Sequence, residues 1–309
     1  MLFWKSKTFL AKLETSYGVD AVPTGAANAI LASNVTLRPM EGEDVERAND
    51  KPNFGANPTI PVGIHAVLTF DLELVGSGTA GTPPAWGPLL RAMNVAETID
   101  PGNSVTYNPI TGIGESACLY FAIGTTRHVI LGARGTAELK VSAQGIPMLS
   151  CTMTGLFTVP TTAAAPAVDY SAFADPQVAT NANTPTFTIG GSDFVLRDLT
   201  LNLGNDVQRR FLIGQEAILI VDKAETLRAQ VEAVSLDTYN PFAIANAGTR
   251  QEIKLVHGTA AGKIVTLDVP AAQQKRPSGY EQQQGIVEWP LDFTPLPTVA
   301  NDQWTLTLT

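Results

Sequence analysis

The sequence predicts a mainly β protein, and three observations carry that reading. Apolar and polar residues alternate with period two along most hydrophobic segments, turn residues punctuate those segments, and helical patterning is confined to two short stretches. The segment 66–74 is the clearest case. Leu68, Phe70, Leu72 and Leu74 fall on one face, and Thr69, Asp71 and Glu73 on the other. A strand of this kind has one buried side and one wet or interfacial side, as antiparallel strands do.

In chain order, strands are expected at 34–37, 66–74, 117–123, 137–142, 149–157, 194–203, 217–222, 252–256, 264–269, 287–293 and 304–308. Gly124-Thr125, Gly258 and Gly262 interrupt the runs as hairpin turns do. A first short helix is expected at 84–93, opened by prolines as a first turn allows. A second is expected at 237–248, with Asp237 as its cap and Gly248 as its stop. Residues 161–186 are rich in Ala, Thr, Pro and Asn without a period, so they form a linker or an extended arm.

That linker separates residues 1–160 from 187–309, and the two halves are alike. Gly63, Ala66, Leu68 and Asp71 recur at the same spacing as Gly214, Ala217, Leu219 and Asp222. Upstream, Val35-Thr36-Leu37-Arg38 lines up with Leu199-Thr200-Leu201-Asn202, and the order strand, long loop, strand, helix, strands repeats. A tandem duplication accounts for this. The first-half loop, 38–63, holds the densest acidic cluster, Glu41, Glu43, Asp44 and Glu46; its second-half counterpart, 202–214, carries Arg209 and Arg210 at its tip. Loops of this length inside a compact domain do something. Acid on one arm and arginines on the other suit a pairing between neighbouring copies.

Composition sets limits on function. Of 309 residues, 44% are hydrophobic and 16% charged, with 20 Lys+Arg against 29 Asp+Glu and a net charge of −9. The apolar fraction is too high for a disordered chain, and the bases are too few for a protein that tracks phosphates. Sparse charge also implies that much of the surface is hidden by other chains, since obligate interfaces are depleted in charged residues. No apolar run approaches the ~18 residues of a membrane helix, and Lys5, Lys7 and Lys12 break up the N-terminal apolar residues where a secretion signal would be continuous. The expectation is a soluble protein without membrane contact. Cys118 and Cys151 lie in separate apolar stretches outside any C-x-x-C and read as buried, inert thiols.

Motifs for chemistry are few. Gly76-Ser77-Gly78-Thr79-Ala80-Gly81 matches G-x-G-x-x-G after a strand, with Asp100 further on. Its strand carries Asp71 and Glu73, whereas a dinucleotide-binding strand is apolar throughout, and Pro83 and Pro84 follow almost at once. A flexible Gly/Ser/Thr loop fits better. His65, His128 and His257 are scattered, without metal-ligand spacing, and no nucleophile elbow or P-loop occurs. The reading is therefore a protein that is not an enzyme and has no cofactor or metal.

Leu13-Glu14-Thr15-Ser16-Tyr17-Gly18, the strand and loop at 34–43, and the block Gly78-Thr79-Ala80-Gly81-Thr82-Pro83-Pro84-Ala85-Trp86-Gly87-Pro88-Leu89-Leu90-Arg91-Ala92 together resemble the major tail tube proteins of long-tailed double-stranded DNA bacteriophages. The best fit is the siphovirus type, whose tails do not contract. The resemblance implies two tandem tail-tube domains, 1–160 and 187–309, each a β-sandwich or half-barrel with a short flanking helix. It implies rings stacked into a tube: trimers of pseudo-sixfold symmetry if each chain supplies two domains, with hexameric rings as the other arrangement. Its implied partners are further copies of the chain, a tape-measure protein, and tail terminator and distal tail proteins. The genome would pass through the lumen without specific binding. The implied location is the virion tail, after assembly in the host cytoplasm. On this resemblance Asp71, Glu73 and Asp222 are lumen-facing candidates, since carboxylates repel phosphates. Glu41, Glu43, Asp44, Glu46, Arg209 and Arg210 become inter-ring contacts. The alternative is a monomeric β-sandwich binding module, for carbohydrate as an example. It would need exposed aromatics, and Trp86, Trp289 and Trp304 sit within apolar runs.

Overall fold

The computed structural model describes residues 3–309, and the chain is mainly β: 51% strand and 5% helix, as the alternation predicts. The first half contains β1 (Lys7–Leu13), α1 (Gly25–Asn28), β2 (Ser33–Glu46), β3 (Thr59–Glu73), α2 (Gly87–Arg91), β4 (Val95–Asp100), β5 (Ser104–Pro109), β6 (Ala117–Ile123), β7 (Thr126–Ser142), β8 (Met148–Leu156) and β9 (Thr161–Thr162). There follow β10 (Thr186–Ile189), β11 (Ser192–Asp193), β12 (Leu196–Asn202), β13 (Asn205–Leu212), β14 (Gln215–Lys223) and β15 (Thr226–Glu232). The chain ends with α3 (Pro241–Ala247), β16 (Arg250–His257), β17 (Val265–Gln274), β18 (Glu281–Gln283), β19 (Ile286–Pro295) and β20 (Thr305–Leu308).

One antiparallel sheet runs through both halves in the order β2, β3, β8, β7, β12, β15, β19, β17. The step from β7 to β12 joins the halves, with Glu138 opposite Asn202 and Ser142 opposite Asp198. β7 is long enough to serve twice: its first part pairs with β6 and its second with β8, across a bulge between Leu131 and Arg134. β6 pairs in turn with β1, and in the second half β16 pairs with β17 and with β10. The sheets stay open and do not close into a barrel.

The core lies on the apolar side of the shared sheet. Leu68, Phe70 and Leu72 from β3, Leu139 from β7, Leu199 and Leu201 from β12, and Trp289, Leu291 and Phe293 from β19 are all buried in one cluster with Trp86 and Leu89 from around α2. Each such side chain contributes roughly 1.5–3 kcal/mol by leaving water, so the cluster that spans both halves is what holds them together.

Several sequence expectations are corrected. Residues 38–63 are mostly strand: β2 continues to Glu46 and β3 begins at Thr59, so only 47–58 is irregular. Bulges between Ser33 and Thr36, Arg38 and Glu41, and Glu41 and Glu43 shift the register and erase the alternation. Likewise 202–214 is not a loop, because β13 forms a two-stranded ribbon with β14. α3 is capped by Asn240, whose side chain accepts from the Ala243 amide at 3.0 Å; Asp237 lies in the preceding turn. The 161–186 segment is extended, holding β9 and hydrogen-bonded through Asp169 to Gly25 and through Ala179 to Gly145. Both cysteines are buried, and burial pushes the Cys118 thiol up to about 12 and raises that of Cys151 further.

Candidate functional site

The polar side of the shared sheet runs across both halves of the chain. Register alone sets out its rows. Ser33, Asp71, Ser150, Glu138, Asn202 and Thr226 lie side by side across β2, β3, β8, β7, β12 and β15. The next row is Glu73, Met148, Lys140, Thr200, Arg228 and Asp292. On the other side lies an all-threonine row, Thr36, Thr69, Thr152 and Thr136. Because side chains alternate, the neighbours of these residues, Leu72, Leu139, Leu149, Leu201 and Leu227 among them, point into the core.

Two open hollows mark this face. One, about 340 Å³, is lined by Asn34, Thr69, Asp71, Thr136, Glu138, Ser150, Thr152 and Asn202. The other, about 550 Å³, is lined by Glu138, Asp198, Thr200, Thr226, Arg228, Gln230, Lys275 and Asp292. Asp71 is held by Asn34, whose amide donates at 2.7 Å, and Lys140 meets Glu138 at 2.7 Å. Burial raises the carboxyl of Asp198, against the pull of Arg228. Along the face, Asp71, Glu73, Glu138, Asp198 and Asp292 outnumber Lys140, Arg228 and Lys275.

The structure brings Asp71 and Glu73 onto this face and leaves Asp222 off it. Asp222 is exposed on the β13–β14 ribbon, opposite Asp206. Its neighbour Lys223 donates to the Asn94 carbonyl at 2.6 Å, and burial pulls its ammonium down to about 8 against the pull of Glu225. The cost of burying that charge is present in full below about pH 8. It lifts as pH rises toward the ordinary lysine value of roughly 10.4. Stability of the native protein relative to Lys223→Met is therefore expected to climb across that window in urea titrations; a difference independent of pH would refute it.

Sequence reasoning missed Glu138, Lys140, Asp198, Arg228 and Asp292. All but Arg228 lie on strands that the alternation predicts, 137–142, 194–203 and 287–293, and that alternation marks the same polar side. What was missing is the β7–β12 pairing that sets them beside Asp71.

The acidic and basic arms also have definite places. Glu43, Asp44 and Glu46 are exposed along the outer length of β2, and Glu41 is half-buried, 3.8 Å from Arg38. Arg209 and Arg210 are exposed on β13. Within the chain, Arg209 reaches the root of the acidic arm through His65 rather than through a carboxylate. Its Nη1 donates at 2.8 Å to His65 Nε2, while His65 Nδ1 donates to the Gly63 carbonyl at 2.9 Å. Further along the ribbon, Ile218 is gripped at both backbone groups. Its amide donates to the Tyr17 hydroxyl at 2.6 Å, and its carbonyl accepts from Arg134 Nη1 at 2.6 Å.

The glycine motif has a packing role. A Cβ on Gly76 would fall 2.2 Å from the Gly262 carbonyl oxygen, and the Gly78 amide donates to that oxygen at 3.0 Å. The glycines allow two backbones to touch, so the segment is a joint and not a flexible loop. Trp86, Trp289 and Trp304, which a sugar-binding surface would need exposed, are buried. Among the described residues, no group of three His, Cys, Asp or Glu is placed to hold a metal ion, and no helix is long and apolar enough to cross a membrane.

The family model described as phage tail tube protein matches residues 4–295. The chain belongs to the phage tail tube protein family. Comparison with curated proteins gives no match. As a tail tube protein the chain is a structural component of the virion tail, not an enzyme, and self-assembles into a tube with other tail proteins.

Proposed function

We propose that this tail tube protein forms rings whose inner wall is the polar sheet face, and that the phage genome slides through that lumen during ejection. The observation that carries the reading is the face itself: one sheet, continuous across both halves, dry on one side and lined on the other by hydroxyls and excess carboxylates. Neutral hydroxyls offer phosphates little to bind, and fixed negative charge repels them. Asp71, Glu73, Glu138 and Asp292 are the lumen residues on this reading, and Asp222 is not among them.

The ring follows from edges. Among the described residues β2 pairs with β3 alone, so one side of a 14-residue strand is unpaired. The stretch after β17 is the opposite edge, and it carries the exposed Lys275 and Arg276. An edge of this length is an invitation to another chain. Joining the second edge of one copy to β2 of the next repeats the direction of the β7–β12 step already present within the chain. The order of pairing also repeats: β2, β3, β8, β7 against β12, β15, β19, β17, and β1, β6, β7, β9 against β10, β16, β17, β20. We read this as two tandem domains, 1–160 and 187–309, joined by 161–186, and hence as trimeric rings with pseudo-sixfold symmetry. The acids at Glu41, Glu43, Asp44 and Glu46 and the bases at Arg209 and Arg210 then serve contacts between rings. A non-contractile, siphovirus-type tail is the setting, with assembly in the host cytoplasm around a tape-measure protein and beneath a tail terminator.

Electron microscopy of the purified chain is expected to give tubes whose axial projection holds six similar units; monomers under all conditions would overturn the reading. Tubes carrying Asp71→Lys, Glu73→Lys and Glu138→Lys are expected to retain double-stranded DNA at low salt and release it as salt rises, where the native tubes retain none. Equal retention would remove these residues from the lumen.

A further inference from the structure

We propose that the tip of the β13–β14 ribbon inserts into a groove at the far end of a second copy of this chain, so that copies stack head to tail along the strand direction. The proposal rests on the tube reading above and names the surfaces that would join one ring to the next.

The knob is Leu212 and Ile213, which are 52% and 108% exposed at the turn into β14. Turns favour Gly, Asn, Asp and Ser, and a β-branched residue left fully in water at such a place has no local reason to be there. The ribbon is held at its root by Asn205 and Lys223, which donate to the Met93, Gly135 and Asn94 carbonyls, and midway along, where Tyr17 and Arg134 fix the backbone of Ile218 and Arg209 bonds His65. The knob is therefore presented on a braced element and loses little freedom on docking.

The hole is a groove of about 320 Å³ between the end of β7, the 179–185 segment and the start of β12. Val141, Ala179, Phe187, Phe194, Val195 and Leu196 give it its apolar lining. Its volume is roughly twice that of an engineered cavity that accepts a benzene ring, which is room for a branched aliphatic side chain. Val195 is 67% exposed at its rim.

Placement and charge select a second copy as the occupant. β12 begins at Leu196 in the groove; β13 follows it after Gly204 and ends at Leu212 beside the knob, with Phe211 against Gly63 and Arg209 on His65. The two surfaces thus lie at opposite ends of the β12–β13 segment and cannot meet within a chain. A contact between unlike surfaces at opposite ends repeats without closing on itself and produces an open stack. Exposed Arg209 and Arg210 stand behind the knob on β13, with Glu216 opposite Phe211; at the groove Asp193 is exposed and Arg197 is already paired with Glu288, so two bases face a free acid in this orientation.

The test pairs Ile213→Asp with a crosslink. Ile213→Asp is expected to leave rings intact and to lower the fraction sedimenting as tubes about tenfold, as truncating a central interface anchor does. Full-length chain carrying both Ile213→Cys and Val195→Cys is expected to give a ladder of covalent oligomers under mild oxidation, with either single variant giving none beyond a dimer. Native tubes alongside Ile213→Asp tubes of equal length, or assembled double-cysteine protein without a ladder, would overturn this contact alone. Native protein that never forms rings or tubes would overturn the tube reading and this contact with it.

Discussion

Arg134→Ala is expected to destabilise the fold by about 4 kcal/mol, more than any other single polar substitution in the chain. Arg134 is 4% exposed, and its guanidinium donates to three carbonyls: Glu115 at 3.2 Å, Gly114 at 2.8 Å and Ile218 at 2.6 Å. It also lies 4.9 Å above the Tyr17 ring, an attraction that grows where water is excluded. Burial lowers its pKa while Tyr17 and Glu14 act in the opposite sense, and a guanidinium remains charged throughout. Removing the side chain leaves three acceptors without their donor, each costing about 1–3 kcal/mol before water relaxes into the space. Arg134→Lys keeps the charge but not the fork, so it should lose less than alanine and still more than half a kcal/mol or so. Urea unfolding at concentrations below assembly measures the effect. Hydrogen exchange at the Ile218 amide should accelerate with it, because the ribbon loses one of its two fixings there. A loss below about 1 kcal/mol would mean that the ribbon is held mainly by its side-chain packing.

What the sequence made legible follows from which physics is local. Segment 66–74, with one face in the core, announces itself by alternation, and 117–123, buried on both faces, by its unbroken apolar run; both lie within a residue or two of β3's inner end and β6. β13 and the outer part of β2 are exposed on both faces, so their side chains carry no period and they read as loops. β1 shows no period in the sequence: Lys7 and Lys12 bracket Phe9, Leu10 and Ala11, three consecutive residues that are all buried where β1 pairs with β6. The candidate site was half legible. Alternation puts Asp71 and Glu73 on a polar face, but only register says what else shares that face, and register is set by long-range pairing. Asp222 was matched to Asp71 on four shared residues. By pairing, the inner part of β3 stands beside β8 as β15 stands beside β19, whereas β14 has split away with β13 into the ribbon. A local identity slid along a hairpin of different length, so Asp222 shares residues with the segment around Asp71 but not its place in the sheet.

Gly262→Ala should be nearly as damaging as Arg134→Ala, with a loss of about 3 kcal/mol, from adding a single methyl group. Gly262 has φ +80°, where any other residue costs roughly 1–2 kcal/mol. The added Cβ would sit 2.2 Å from the Gly78 carbonyl carbon and 2.4 Å from the Thr79 amide nitrogen. Both are backbone atoms and cannot rotate aside. The 76–81 segment must then move as a unit and give up the Gly78 amide bond to the Gly262 oxygen, a further ~1 kcal/mol. The Gly262 amide is itself anchored, donating to the Thr309 carbonyl at 3.0 Å, so the turn cannot yield in the opposite direction without freeing the last strand. Gly55→Ala is the control: a Cβ there meets nothing within 4 Å, and its φ is not positive. Thermal and urea unfolding of the two variants should separate them by the full 3 kcal/mol or so. A Gly262→Ala protein within about half a kcal/mol of the native chain would mean that the two backbones part easily. In that event the spacing of Gly76, Gly78 and Gly81 would again need a reason other than close contact. The two segments come from opposite halves, so the loss should also loosen the sheet join at β7 and β12, and amide exchange along Glu138, Leu139 and Lys140 is where it would appear.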